Sequence, residues 1–174
     1  MRLLFIRHGD PDYEIDSLTS QGWAEAEALS RYMEGIPVTE YYTSPLGRAR
    51  DTASLTLKRV GREATVLPWL TEFTHRTPLK PDYPDSADVP WDWRPINWIH
   101  RDEFFDKDAW VQAPEMVDGD IALHHREVCR HFDEFLSEKG YTRSGGLYRT
   151  EQGTSDTYVF FCHLGLIGIL LGHL

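Results

Sequence analysis

Leu3-Leu4-Phe5-Ile6-Arg7-His8-Gly9 opens the chain, four consecutive apolar residues running into a cation, an imidazole and a glycine. The run lacks the polar alternation of a half-exposed strand and reads as a strand buried on both faces of a sheet. In open α/β sheets, ligands collect beyond the carboxyl ends of such strands. Arg7 and His8 there present an anion site, and Gly9 lets the backbone turn beside it. Taken alone the motif is equally a surface charge followed by a turn histidine, so its meaning depends on partners elsewhere in the chain.

Working outward, residues 10–16 form an acidic loop, and Leu18-Thr19-Ser20-Gln21-Gly22 opens a helix with Thr19 or Ser20 as cap. Trp23, Ala26, Ser30 and Met33 follow at helical spacing and give one buriable face. Gly35 and Pro37 end that helix, and residues 38–43 form a second strand. Ser44-Pro45 then starts another helix, with a capping hydroxyl and a proline at its first position. Ala49, Ala53, Leu57 and Val60 point inward, and Gly61 suits a left-handed C-cap. Residues 65–67 read as a short third strand. Strand, helix, strand, helix, strand in this order implies an α/β fold with a parallel sheet and right-handed crossovers.

Regular patterning stops between residues 73 and 116, where prolines stand at 78, 81, 84, 90, 95 and 114 and tryptophans at 91, 93, 98 and 110. Long aperiodic stretches are functional lids or disordered. The aromatic density favours a packed cap inserted into a single catalytic domain, because disordered segments are poor in such residues. Helical periodicity resumes through Ile121, Val128, Phe132, Phe135 and Leu136 and ends at Lys139-Gly140. Gly145-Gly146 marks a hairpin within residues 141–151, and residues 157–162 are a further β-rich apolar run that delivers His163. Residues 165–174 begin a very apolar helix that needs cover on nearly all sides, so the chain reads as truncated at its C-terminus.

With 174 residues the chain is one domain, or one domain with a large insertion. Its 18 basic and 28 acidic residues leave a net charge of −10, which repels nucleic acid and anionic membrane. The N-terminus carries no basic region followed by a long apolar core, and no apolar run reaches the roughly 18–20 residues of a membrane span. The expectation is a soluble cytoplasmic protein without a nucleic-acid or membrane partner; oligomeric state is not legible. Cys129 and Cys162 read as small buried hydrophobes. His75, His124 and His125 do not make a metal site, since adjacent helical histidines point ~100° apart and no His-Glu-x-x-His is present.

Four features converge on one edge of the expected sheet: Arg7-His8-Gly9 after the first strand, Arg48 at the start of the second helix, Glu72 after the third strand and His163 after the last. A phosphoryl group needs fixed donors for its oxygens, and arginine offers a planar fork while a helix N-terminus adds oriented N–H groups. Phe73 and His75, directly after Glu72, are the first candidates for substrate contact, with Gly9 and Asp10 beside the strand end. The acids of the insertion (Asp82, Asp85, Asp88, Asp92, Asp102, Glu103) and its aromatic residues suit a small organophosphate with an apolar or cationic body.

This set resembles the histidine phosphatase superfamily, the phosphoglycerate-mutase-like or histidine acid phosphatase fold. The matching segments are Leu4-Phe5-Ile6-Arg7-His8-Gly9, Leu18-Thr19 with Gly22 and Ala26, Ser44-Pro45-Leu46-Gly47-Arg48-Ala49 with Thr52-Ala53, Leu70-Thr71-Glu72, and Phe160-Phe161-Cys162-His163. The resemblance implies a three-layer α/β/α sandwich around a mostly parallel sheet. It also implies a metal-independent, cofactor-free phosphatase acting on a small phosphorylated substrate. His8 would be the nucleophile that becomes phosphohistidine, with Arg7, Arg48 and His163 holding the phosphoryl oxygens. Glu72 would protonate the leaving alkoxide and then take a proton from water. An imidazole attacks only when neutral, which two nearby guanidinium groups favour.

Departures from the family pattern are Asp10, where many members carry Glu or Gln, the added acids Asp12, Glu14 and Asp16, and Leu164-Gly165 after His163 in place of Gly-Gly. The chain is shorter than the glycolytic mutases and its insertion differs from theirs, so a hydrolase is expected over a mutase. The remaining alternative is a catalytically idle phospholigand-binding protein.

Overall fold

The computed structural model describes residues 1–77 and 89–174. Pro78, Pro81, Pro84, Asp82, Asp85 and Asp88 therefore lie outside the described residues. The chain divides into two compact units, Met1–Glu72 with Gln152–Ile167, and Phe73–Glu151 with Gly168–Leu174.

The first unit is an α/β layer structure. In chain order its elements are β1 (Arg2–Arg7), the short pair β2 (Pro11–Asp12) and β3 (Ser17–Leu18), α1 (Ser20–Met33), β4 (Glu40–Thr43), α2 (Gly47–Val60) and β5 (Ala64–Val66). The second unit contributes α3 (Pro114–Asp118), α4 (Ile121–Glu138), β6 (Thr142–Ser144) and β7 (Leu147–Arg149); β8 (Thr157–Cys162) returns to the first, and α5 (Leu164–His173) closes the chain.

Four strands pair in the order β1-β8-β4-β5, all parallel. The register sets Arg7 of β1 beside Cys162 of β8, and Phe161 of β8 beside Thr43 of β4. Three neighbouring strands thus end at nearly the same level. The expectation of a first strand buried on both faces needs correction, since Leu3, Leu4, Phe5 and Ile6 are only half-buried. Among the described strands β1 is at the sheet edge, and it is β8, between β1 and β4, whose six residues are all buried. Phe5, Phe160 and Tyr42 share one register row and stack across three strands, with ring centroids 5.1 and 5.2 Å apart. On the opposite face Leu4, Ile6, Tyr41, Val159 and Phe161 pack with Met33, Ala53 and Leu57 of the two helices. Each fully buried side chain of this kind contributes roughly 1.5–3 kcal/mol.

Helix starts follow local chemistry. Thr19 caps α1, its hydroxyl accepting the Gly22 N–H at 3.1 Å. Gly22, Ala26, Ser30 and Met33 are the buried face, so Trp23, at 37% exposure, does not belong to it. The expected Ser44 cap of α2 is not made: α2 begins at Gly47 with Leu46 at the N-cap position. At its other end Gly61 takes the left-handed conformation, φ 65°.

In the second unit the described part of the aromatic insertion is packed, through short 3-10 turns and α3. Trp93, Val111, Met116 and Ile121 form a core with Phe73, Cys129 and Ile169. Arg101 holds the insertion by a two-pronged bond to Glu115 at 2.8 and 3.1 Å and a contact with Glu103 at 2.9 Å. The hairpin turns at Gly145, φ 64°. Tyr148 donates to Asp133 of α4, which also meets His173 at 2.8 Å. Burial raises both free thiols, Cys129 to about 11 and Cys162 to about 12, so neither is a nucleophile near neutral pH. Among the described residues no helix is long and apolar enough to cross a membrane.

Candidate active site

The aligned strand ends build the site. His8 extends β1, its N–H donating to the Cys162 carbonyl at 3.1 Å, and Ser44 extends β4, donating to the Phe161 carbonyl at 2.9 Å. His163 follows β8 between them. Sheet pairing therefore brings two imidazoles and a hydroxyl together from positions far apart in the chain.

His8 is buried, and its ring lies 5.2 Å from that of His163. Its Nδ1 stands 2.8 Å from the Gly9 carbonyl oxygen. A carbonyl only accepts, so Nδ1 carries the proton and Nε2 keeps its lone pair in the neutral ring. Burial lowers the His8 pKa; Arg48 and Arg7 add to that, against opposing contributions from the Gly9 hydrogen bond and Glu72. The neutral form is the one favoured. Arg7, Arg48, Glu72 and His163 thus each lie within electrostatic reach of His8.

Gly9 is needed for close approach rather than for a turn angle. A Cβ there would stand 2.9 Å from the Gly22 carbonyl oxygen of α1, and the Gly9 N–H donates to Thr52 Oγ1 at 3.0 Å. Asp10 has a structural partner: its carboxylate accepts from the Thr19 hydroxyl at 2.6 Å, and its N–H donates to Glu25 at 2.9 Å. These bonds tie the loop after β1 to the start of α1.

Arg48, in the first turn of α2, is buried. Its Nη1 meets Asp16 Oδ1 at 2.6 Å, while Asp16 Oδ2 accepts the Gly47 N–H at 2.6 Å. Asp16 reaches both because it adopts the left-handed conformation, φ 49°, just before β3. Hydrogen bonds from Gly47 and Arg48 hold the Asp16 carboxyl below its usual range despite a desolvation cost. Asp16 is thus a fixed partner of the arginine, and the first helix N–H expected to face an anion is engaged by it. Arg48 Nε is buried with no hydrogen-bond partner among the described residues, and the Tyr13 ring stands 5.3 Å from the guanidinium. Arg7 is exposed, and its side chain makes no hydrogen bond or ion pair among the described residues.

His163 is fully buried, with Nε2 2.8 Å from Ser44 Oγ. Burial, then Arg48, His8 and Arg7, push its pKa down to about 3. Glu72 is 9% exposed, and its Oε1 accepts the Leu166 N–H of α5 at 3.3 Å. Phe73 and His75 belong to the second unit, where Phe73 is a core residue and His75 stacks on His124 with centroids 3.4 Å apart. Sequence reasoning did not single out Asp16 as the partner of Arg48 or Ser44 as the partner of His163, because both pairings join residues remote in sequence.

The arrangement combines a neutral imidazole with a free lone pair, two guanidinium groups and a carboxyl group, which suits transfer of a phosphoryl group. Comparison with known proteins finds likeness in part of the sequence and in the fold. A 2,3-bisphosphoglycerate-dependent phosphoglycerate mutase of Thermoplasma acidophilum is 32% identical over 62 residues, 30% of this chain. The match spans 31% of that relative's length. Among solved structures, a mycobacterial glucosyl-3-phosphoglycerate phosphatase superposes with a TM-score of 0.58 at 22% identity, covering 98% of this chain and 77% of that one. An alpha-ribazole phosphatase from Shigella flexneri gives 0.57 at 20% identity, covering 98% and 78%. These likenesses show the fold. Residues 3–105, more than half of the chain, match the histidine phosphatase superfamily (branch 1), and the chain belongs to that superfamily.

Proposed function

We propose that the protein is a phosphatase that hydrolyses a small phosphomonoester through a phosphohistidine on His8, without a metal. The observation that carries this is the hydrogen bond between His8 Nδ1 and the Gly9 carbonyl, which leaves Nε2 as the nitrogen with a lone pair. In the first step Nε2 bonds to phosphorus as the ester P–O bond breaks, and the leaving alkoxide takes a proton from Glu72. In the second, water attacks the phosphorus, Glu72 takes the water proton, and the N–P bond breaks to release phosphate. Arg7 and Arg48 neutralise charge on the equatorial oxygens in both steps.

The mutase similarity supports a second reading, in which a substrate hydroxyl replaces water in the second step. A single assay separates the outcomes. The protein is incubated with an aryl phosphate, acid-quenched for acid-labile phosphohistidine, and free phosphate is measured with and without an added alcohol acceptor. Phosphate release that is abolished in a folded His8→Ala variant supports the hydrolase. Transfer to the acceptor with little free phosphate supports the mutase, and turnover in His8→Ala refutes both.

A further inference from the structure

We propose that Ser44 is a positioning residue that holds His163 in its Nδ1–H tautomer, so that the neutral ring donates a hydrogen bond to the phosphoryl group. This rests on the phosphoryl-transfer reading above and gives His163 a defined protonation state within it.

Both side chains are buried in the ligand-free protein, so their hydrogen bonds there are made within the chain. Ser44 Oγ lies 2.8 Å from His163 Nε2 and also accepts the Leu46 N–H at 3.2 Å. His163 Nδ1 has no hydrogen-bond partner among the described residues. Two arrangements of the neutral ring are possible. If Nε2 carries the proton, Oγ accepts twice. The serine proton then faces no acceptor, and the Nδ1 lone pair is also unmet. If instead the serine hydroxyl donates to Nε2, every group of the pair is satisfied except one, the N–H on Nδ1. The second arrangement leaves one unmet group instead of two.

The remaining group also has the right sign. An unpaired N–H on a ring 5.2 Å from that of His8 and within electrostatic reach of Arg48 and Arg7 is completed when an oxyanion arrives, whereas a bare Nδ1 lone pair would repel it. Protonation of the ring does not offer a third state near neutral pH, because burial and the neighbouring cations keep His163 uncharged. The two imidazoles of the site thus share one tautomer and use it oppositely. His8 has its Nδ1–H tied to Gly9 and offers a lone pair, while His163 has its Nε2 tied to Ser44 and offers a proton donor.

The test is the ring ¹⁵N chemical shifts of His163 in the full chain labelled with ¹⁵N-histidine, assigned with a His163→Gln variant. Expected is a protonated Nδ1 and an unprotonated Nε2 at pH 7, with Nδ1 moving and Nε2 nearly still as inorganic phosphate is titrated in. In Ser44→Ala both nitrogens shift toward an averaged tautomer, and phosphate inhibits about tenfold more weakly. Ser44→Thr, which keeps the hydroxyl, restores the wild-type shifts. A wild-type ring protonated on Nε2 or on both nitrogens overturns the assignment. So does a Ser44→Ala spectrum unchanged from wild type, and an Nδ1 signal unmoved by phosphate removes the donor role. Should Ser44→Ala not fold, the wild-type spectra decide alone. The expected tautomer and phosphate response in a protein that releases no phosphate from any ester would refute the hydrolase reading and leave the role of Ser44 intact.

Discussion

Replacing His163 by Gln should remove a specific pH dependence of stability. In an unfolded chain this imidazole titrates near 6.5, whereas in the folded protein it is held down to about 3. Between those values the unfolded chain binds one proton more than the folded chain. The free energy of unfolding therefore falls as pH falls, by about 1.4 kcal/mol per pH unit. The contribution is fully present above the unfolded value and is lost progressively toward the folded one. Between pH 6.5 and 4 the loss amounts to about 3 kcal/mol, large against the roughly 5–15 kcal/mol that hold a domain together. His8, also lowered, acts in the same direction, but it is retained in the variant and cancels in the comparison. The assay is urea unfolding at a series of pH values in phosphate-free buffer. The difference in unfolding free energy between wild type and His163→Gln should change with pH by about 1.4 kcal/mol per unit below pH 6. Parallel curves for the two proteins would refute the reasoning, because they would mean that the ring gains its proton in the folded state without penalty.

Glu72→Gln should reduce hydrolysis of alkyl phosphates at least about 100-fold more than that of aryl phosphates, whose leaving groups need less protonation; equal losses in kcat would assign the acid to another residue. Gly47→Ala should destabilise the protein by about 1–3 kcal/mol in thermal unfolding, because the added Cβ would stand 2.0 Å from the Asp16 carbonyl oxygen, and an unchanged Tm would disprove that contact. Asp16→Asn keeps an acceptor for the Gly47 N–H but loses the ion pair that fixes Arg48, so kcat/KM should fall about tenfold, and an unchanged value would show that Arg48 holds its position alone.

Several elements are legible from residue order alone. The apolar run before Arg7, the Thr19 cap, the Gly61 C-cap and the Gly145 turn all appear where local chemistry places them, because capping, glycine conformations and strand periodicity depend on near neighbours. Residues 157–162 form a strand of those limits. The placement of Arg7, His8 and His163 at strand ends and of Arg48 at a helix start follows from the same reading.

Pairings between remote residues were not legible. Which strand lies centrally, and so is buried on both faces, depends on sheet order, and an apolar run looks alike in β1 and β8. The Ser44 hydroxyl can cap a helix or meet a histidine more than a hundred residues away, and only the parallel register of β4 and β8 decides between them. The acids after Gly9 read alike as loose charge, yet Asp10 binds Thr19 and Asp16 binds Arg48. The sequence by itself therefore determined which chemical groups this protein carries to its strand ends. The tertiary structure decided their protonation and orientation, because burial and partners brought from distant strands set which nitrogen holds a proton and where each arginine is anchored.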